Sequence, residues 1–276
     1  MLAKHAKGKI SNVKDYNNRP VRKALPVPRL AANTLFTFTT KIDFMTAWVQ
    51  NGSISARYCE EKIDYLKIGY NKIAMPMKCF CDINIHRLGE HLDWYGHYGL
   101  GFSKEWGMKN GIQPVQYLNT ESDLCKSFKN AFKQSLKDDT EQSRKIRDYI
   151  ATQLAFIKPT TGKMRNRVTG KESGKCFTDE FEWRYVPDVS RLELPQFLLD
   201  ESQLLEEPLN RLSNVLDNNP LSSVPFETTD IKYIIIKDMS DYQRIIDCFN
   251  SLEEKRGLKD FLVSKVLVWE DVKEDF

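Results

Sequence analysis

The chain is predicted to be an α+β protein, with a mixed, mostly antiparallel sheet or sheets and flanking helices. Three features point there. An apolar run of period two begins at Leu35-Phe36-Thr37-Phe38-Thr39, strand candidates occur in runs as well as alternating with helices, and residues 121–157 carry two consecutive amphipathic stretches. A doubly wound parallel sheet would require steadier alternation, and no internal repeat is present.

The first strand covers residues 35–39, where β-branched and aromatic residues alternate. A helix follows: Thr40 with Asp43 three residues on reads as a capping box, Phe44, Met45, Trp48 and Val49 share a face, and Gly52 ends it. Residues 53–58 are a short extended piece carrying Arg57. Residues 75–83 have the apolar density of a largely buried strand and run into Ile85, Leu88, Leu92 and Tyr95 at helical spacing. Tyr98 to Ser103 is another strand, whose glycines signal a bulge or the close approach of another backbone or a ligand. Residues 104–109 form a short helix stopped by Gly111, and 114–118 a strand. Two helices come next, with faces Leu124, Phe128, Phe132, Leu136 and Ile146, Tyr149, Ile150, Leu154, Ile157. The glycine-bearing basic stretch from Lys158 to Lys175 reads as a flexible loop outside the core. Phe177 to Pro187 is extended, helices lie around 196–217, strands at 231–237 and 264–269, and a helix runs from Ser240 to about Glu254.

With 276 residues, 41% hydrophobic and 29% charged, the composition excludes disordered, collagenous and membrane classes. No apolar run approaches the roughly 18 residues that span a bilayer, and the basic N-terminus, broken by Asn and Pro, is unlike a signal peptide. The expectation is a cytoplasmic protein with no membrane contact. Six scattered cysteines point to reduced thiols. Residues 1–33 form a basic flexible arm, with Lys4, Lys7, Lys9, Lys14, Arg19, Arg22, Lys23 and Arg29 against Asp15, and 34–276 a single α+β domain. The arm either contacts phosphates or keeps the protein soluble.

Residues 179–186 hold the most suggestive chemistry. If the segment is extended, Phe181, Trp183 and Tyr185 form an aromatic face, and Glu180, Glu182 and Arg184 line the other. Two carboxylates and a guanidinium on one surface suit an acid-base or ribose-orienting site, or else a salt-bridge ladder on a solvated strand. Cys79-x-Cys81 with His86, His91 and His97 lacks the spacing of a structural zinc site, so the cysteines read as core thiols and no metal is expected. Asp82 caps the next helix or faces a pocket, with capping favoured. Phosphate-loop, dinucleotide-fingerprint, nucleophile-elbow and zinc-protease motifs are missing.

The order of segments Leu35-Phe-Thr-Phe-Thr39, Ser55-Ala-Arg57-Tyr-Cys-Glu-Glu61, Ile73-Ala-Met-Pro-Met-Lys-Cys79-Phe-Cys81-Asp-Ile83, Glu90-His91-x-x-x-Tyr95-Gly96-x-Tyr98-Gly-Leu-Gly101-Phe-Ser-Lys104-Glu-Trp-Gly107 and Phe177-Thr-Asp-Glu180-Phe-Glu182-Trp-Arg184-Tyr-Val-Pro187 resembles the AbiGi family of abortive phage resistance proteins. The resemblance runs from about residue 34 to the C-terminus. It implies bacterial phage defence, as the antitoxin of a toxin-antitoxin pair. A more distant resemblance, to the ADP-ribosyltransferase fold, implies nicotinamide adenine dinucleotide (NAD) as cofactor. It gives Glu182 the role of orienting the nicotinamide ribose, Glu180 that of the acceptor-side glutamate, and Ser103 that of the middle-strand serine. Cofactor contacts then fall to Thr37, Arg57 and Arg184. The first strand departs from that pattern, offering Thr37, Phe38 and Thr39 where such transferases place His or Arg.

Two functions follow from these resemblances. One is an NAD-dependent transferase modifying RNA or a protein acceptor. The other is a non-enzymatic antitoxin that binds a cognate toxin or another defence-system protein. A nucleic-acid regulator using the arm is weaker, since the arm lacks interleaved aromatics.

Overall fold

A computed structural model describes residues 32–253 and 256–275. The basic arm assigned to residues 1–33 lies, but for its last two residues, outside the described residues.

In chain order the elements are β1 (Thr34–Thr39), α1 (Ile42–Asn51), β2 (Ser53–Ser55), β3 (Arg57–Lys62), β4 (Lys72–Cys81), α2 (Gly89–Tyr95), β5 (Tyr98–Ser103), α3 (Lys104–Lys109), β6 (Gln113–Pro114), β7 (Gln116–Leu118), α4 (Asp123–Ser135), α5 (Glu141–Leu154), β8 (Ile157–Pro159), β9 (Thr161–Arg165), β10 (Glu172–Cys176), β11 (Glu182–Tyr185), α6 (Glu206–Leu216), β12 (Ser223–Pro225), β13 (Ile231–Ile236), α7 (Tyr242–Ser251), α8 (Arg256–Val263), β14 (Val266–Val268) and α9 (Trp269–Val272). The main sheet runs β14-β13-β5-β1-β4-β11-β6, with β3 added to β4. Its pairings are antiparallel except for β13 with β14. The α+β, mostly antiparallel expectation holds.

Alternation sorts the strands' side chains between two faces. Leu35, Leu100, Phe102 and Phe80 enter a core with α1, α3 and α7. Phe36, Phe38 and Cys81 point the other way, under α2 and α9. Farther along β4, Met75 and Met77 take that second face beneath α4 and α5. Gly99 and Gly101 lie against Phe38 and Phe36, where a Cβ would come within 2.4 and 2.7 Å of the rings, so close approach and not ligand access explains them.

Several local expectations are corrected. Lys41 and not Thr40 precedes α1, with no side-chain cap, and Phe44 is exposed. On α4 the buried positions are Cys125 and Ser135, while Leu124 and Leu136 at the ends of the expected face are exposed. On α5 Ile146 and Tyr149 are exposed, and Ile150 and Leu154 are buried. Tertiary contacts rotate both helices relative to their simplest apolar stripe. The presumed flexible loop 158–175 is ordered as β8 and the β9–β10 hairpin, because β8 pairs with β7. Asp82 does not cap a helix: its Oδ2 lies 2.5 Å from the buried Lys104 Nζ, and its Oδ1 is buried without a hydrogen-bond partner among the described residues.

Candidate functional site

The segment expected to be one continuous strand is a strand only from Glu182. Phe177 to Glu180 form a 3-10 turn that ends at Phe181, whose φ of 43° and ψ of 48° are left-handed. That conformation costs a residue with a side chain on the order of 1–3 kcal/mol. It breaks the alternation, so Phe181 does not join Trp183 and Tyr185. Those two pack toward the first core, while Phe181 is half exposed.

The turn nevertheless brings the two carboxylates together. Lys158 Nζ, from β8, lies 2.8 Å from Glu180 Oε2 and 2.8 Å from Glu182 Oε2. Arg184 Nε donates to Glu182 Oε1 at 2.7 Å, Nη1 to the Ala155 carbonyl at 2.9 Å, and Nη2 meets Glu61 Oε1 at 3.0 Å. Glu180 Oε1 accepts from the Tyr95 hydroxyl and is 3.1 Å from Lys175 Nζ. The backbone N–H of Glu182 donates to the Tyr117 hydroxyl oxygen at 2.8 Å. All four carboxylate oxygens of the pair are thus engaged by the protein's own donors.

This cluster is interior: Arg184 is 0% exposed, Glu180 3%, Glu182 5% and Lys158 6%. Of the two readings of these residues, the ladder on a solvated strand is therefore corrected to a buried network. Burial alone would raise the Glu182 carboxyl, but Arg184 and Lys158 outweigh it and hold the group well below the usual carboxylate range. Burial opposes charge on Lys158 too, yet Glu182, Glu61 and Glu180 hold its ammonium well above the usual value. Burial and Glu180 together raise the Tyr95 phenol, which keeps its proton as a donor.

The other residues singled out from the sequence lie elsewhere. Ser103 sits opposite Thr34, three strands from β11 across the sheet, about 14 Å at the usual strand spacing. Its hydroxyl accepts from Trp106 N at 3.1 Å and caps α3. Thr37 is buried and pairs with Leu100, so it faces the opposite side of the sheet from Glu182, which pairs with Cys81. Arg57 is drawn to α6, with Asp217 at 3.3 Å and Asn210 at 3.4 Å. Arg184 alone of the expected cofactor contacts joins the carboxylates. Among the described residues no His/Cys/Asp/Glu group could hold a metal ion. Neither is any helix there long and apolar enough to cross a membrane.

Sequence reasoning missed Lys158, Lys175, Tyr95 and Glu61. The usable signal was the triplet Glu180, Glu182 and Arg184 itself, since an interior carboxylate pair with one cation requires further cations from elsewhere.

The fold and cluster define an α+β protein organised round a buried, charge-paired centre. The model of the family described as "Putative abortive phage resistance protein AbiGi, antitoxin" matches residues 52–237, a span containing every member of the cluster. The "Abortive phage resistance protein AbiGi" of Lactococcus lactis subsp. cremoris is 32% identical over 244 residues, covering 80% of this chain and 98% of that protein. The chain belongs to the AbiGi family. No solved structure matches it, so the resemblance to the ADP-ribosyltransferase fold rests on the sequence alone.

Proposed function

We propose that this chain acts in anti-phage defence as an antitoxin, binding and neutralising a partner toxin without itself catalysing a reaction. The observation that carries this reading is the burial of Glu180 and Glu182 with every carboxylate oxygen engaged by Lys158, Arg184, Lys175 or Tyr95. A carboxylate that orients a substrate hydroxyl needs a free lone pair facing solvent or a cleft, and replacing Lys158 or Arg184 by a neutral ligand would leave a buried charge unpaired. The distance of Ser103 and the opposite orientation of Thr37 also weigh against NAD held by these residues. The family description, which names an antitoxin, supports the same reading.

The test pairs growth with calorimetry. Co-expression with a cognate toxin is expected to restore growth to cells that the toxin arrests, and titration of the purified chain with NAD to give no binding heat. Failure to neutralise, or NAD binding that is lost in a folded Glu182→Gln variant, would overturn the reading in favour of the transferase.

A further inference from the structure

Two strands share one edge of β4 and leave a split between them. Glu182 turns its N–H and C=O away from β4, to Tyr117 and Val115, so β11 bonds β4 through Phe80 and Lys78. Backbone groups alternate between the two edges of a strand, which leaves Cys81, Cys79 and Met77 for the opposite edge. There Phe36 of β1 takes Cys81 and Arg57 of β3 takes Met77, and no strand takes Cys79. Solvent reaches the middle of the sheet at this point. Met77, Phe80 and Cys81 are buried, whereas Lys78 and Cys79 between them, on opposite faces, are both partly exposed.

A cation stands at each mouth of the split. Lys78 leaves on the face of the first core, its Nζ 3.9 Å from the centre of the Trp48 ring. Arg167, between β9 and β10, comes from the other face. Its N–H donates to the Trp94 carbonyl at 2.9 Å and its guanidinium lies 5.6 Å from the centre of the Tyr95 ring. Tyr95 packs on His91, and His91 on Phe38, which follows Phe36 where β1 parts from β4. Among the described residues neither cation has an ion-pair partner or a side-chain hydrogen bond. Burial, and next the Arg167 charge, push the Lys78 pKa down to about 7, so the two cations are felt across the split. Like charges held together in partial burial without a counterion cost stability. The chain pairs its other buried cations: Lys104 with Asp82, Lys158 with Glu180 and Glu182, and Arg184 with Glu182 and Glu61.

We infer that the split beside Cys79 is a binding site for the terminal phosphate group of a small molecule, held between Lys78 and Arg167. Such a group carries about 1.5 to 2 negative charges at neutral pH, which matches one ammonium and one guanidinium. The guanidinium fork suits two of its oxygens and the ammonium, a point charge, a third. Met77 and Cys81 lie about 13 Å apart along the strand, which limits the occupant to one such group. The inference goes beyond the antitoxin reading and does not rest on it.

Calorimetric titration of the full chain in phosphate-free buffer at constant ionic strength tests it, with inorganic phosphate, AMP and NAD as probes. Saturable binding of AMP is expected, and no heat from NAD, which lacks a terminal phosphate. Tighter binding of AMP than of inorganic phosphate would assign the group to a nucleotide, and equal affinities would assign the site to the phosphate alone. Lys78→Met and Arg167→Met are each expected to weaken binding at least tenfold with the unfolding temperature of the free chain retained, and Arg167→Lys, which keeps the charge, to recover most of the loss. Lys126→Met, which removes an exposed lysine of α4 paired with Asp123, should stay within twofold of wild type. Absence of saturable binding by both phosphate probes would overturn the inference, as would wild-type affinity in Lys78→Met and Arg167→Met. NAD binding as tightly as AMP would place the contact on base or ribose and overturn it too. Neutralisation of a toxin is a separate readout, so either conclusion can fail while the other stands.

Discussion

Lys158 and Glu182, 24 residues apart, meet at 2.8 Å in the interior between β8 and β11. The same ammonium also holds Glu180. Removing it while leaving both carboxylates in place strands negative charge in the core, which costs about 3–5 kcal/mol for a buried pair. Lys158→Met is therefore expected to lower the urea midpoint sharply. The double change Lys158→Met, Glu180→Gln should recover part of the loss, because one buried charge of each sign goes and Arg184 stays paired with Glu182 and Glu61. Equal stability of Lys158→Met and wild type in urea titrations would remove the clamp from the account.

The acid limb of stability follows from Glu182. Its carboxyl is held below the ordinary value of 4.5, so burial notwithstanding, Arg184 and Lys158 favour the charged form in the folded state. The associated stability is fully present above about 4.5 and is lost as pH falls through the folded value. Unfolding free energies measured in urea from pH 7 to pH 2 should fall steeply below pH 4.5 for wild type. Glu182→Gln should start less stable and show a shallower slope there. Parallel slopes would place the titrating group elsewhere.

The sheet was legible because its strands alternate, as in residues 35–39 and 98–103, and the period of two belongs to each strand's own backbone. Gly52 likewise ends α1 in the left-handed conformation expected of it. The centre was half legible. Glu182 and Arg184 share a face as alternation requires, but Glu180 arrives through the left-handed turn at Phe181, where nothing in the local sequence marks a break. Lys158 reads as loop from its neighbours, because a lysine among Gly, Thr and Arg resembles any solvated cation. Its burial depends on carboxylates 22 and 24 residues later, a long-range fact without a local trace. The same limit applies to Ser103, whose role as the cap of α3 competes with any other use of its hydroxyl.

His91 provides a second pH signature, distinct from the carboxylates. Its ring packs between Phe38 and Tyr95, with centroids 5.5 and 4.4 Å away. Burial, reinforced by the Lys175 ammonium, pushes its pKa down to about 3. The neutral form is thus favoured by folding, and the stability it contributes is present above the unfolded value of 6.5 and lost as pH falls from there toward 3. The slope from this one proton is at most about 1.4 kcal/mol per pH unit. Replacing His91 by Phe keeps an aromatic ring in place, so unfolding free energy between pH 6.5 and 5 should become flatter. An unchanged slope in the variant would show that the ring remains accessible to protons in the folded chain.

Gly96 closes α2 at φ 112° and ψ 163°, with its N–H donating to the Leu92 carbonyl at 2.9 Å. A Cβ built there would lie 2.3 Å from the Thr39 carbonyl oxygen and 2.6 Å from Thr40 Cα, both backbone atoms at the end of β1. Neither can step aside without moving the strand. Gly69, at φ 97°, has the conformational requirement without the clash, and at Gly174 no such φ applies and no atom lies within 4 Å of the added Cβ. The three alanine variants should therefore rank in order. Gly174→Ala should be neutral or more stable by up to about 1 kcal/mol through the unfolded chain. Gly69→Ala should lose on the order of 1–3 kcal/mol of stability from backbone strain. Gly96→Ala should lose more than Gly69→Ala, because the same strain is joined by contact with fixed backbone. Thermal unfolding of all three checks the ranking. If Gly96→Ala matched Gly69→Ala, the end of β1 would be free to yield at Thr39, and α2 with Tyr95 would not be rigidly registered against the sheet. Tyr95 carries the hydroxyl that binds Glu180, so this backbone crossing positions one of the donors to the buried cluster.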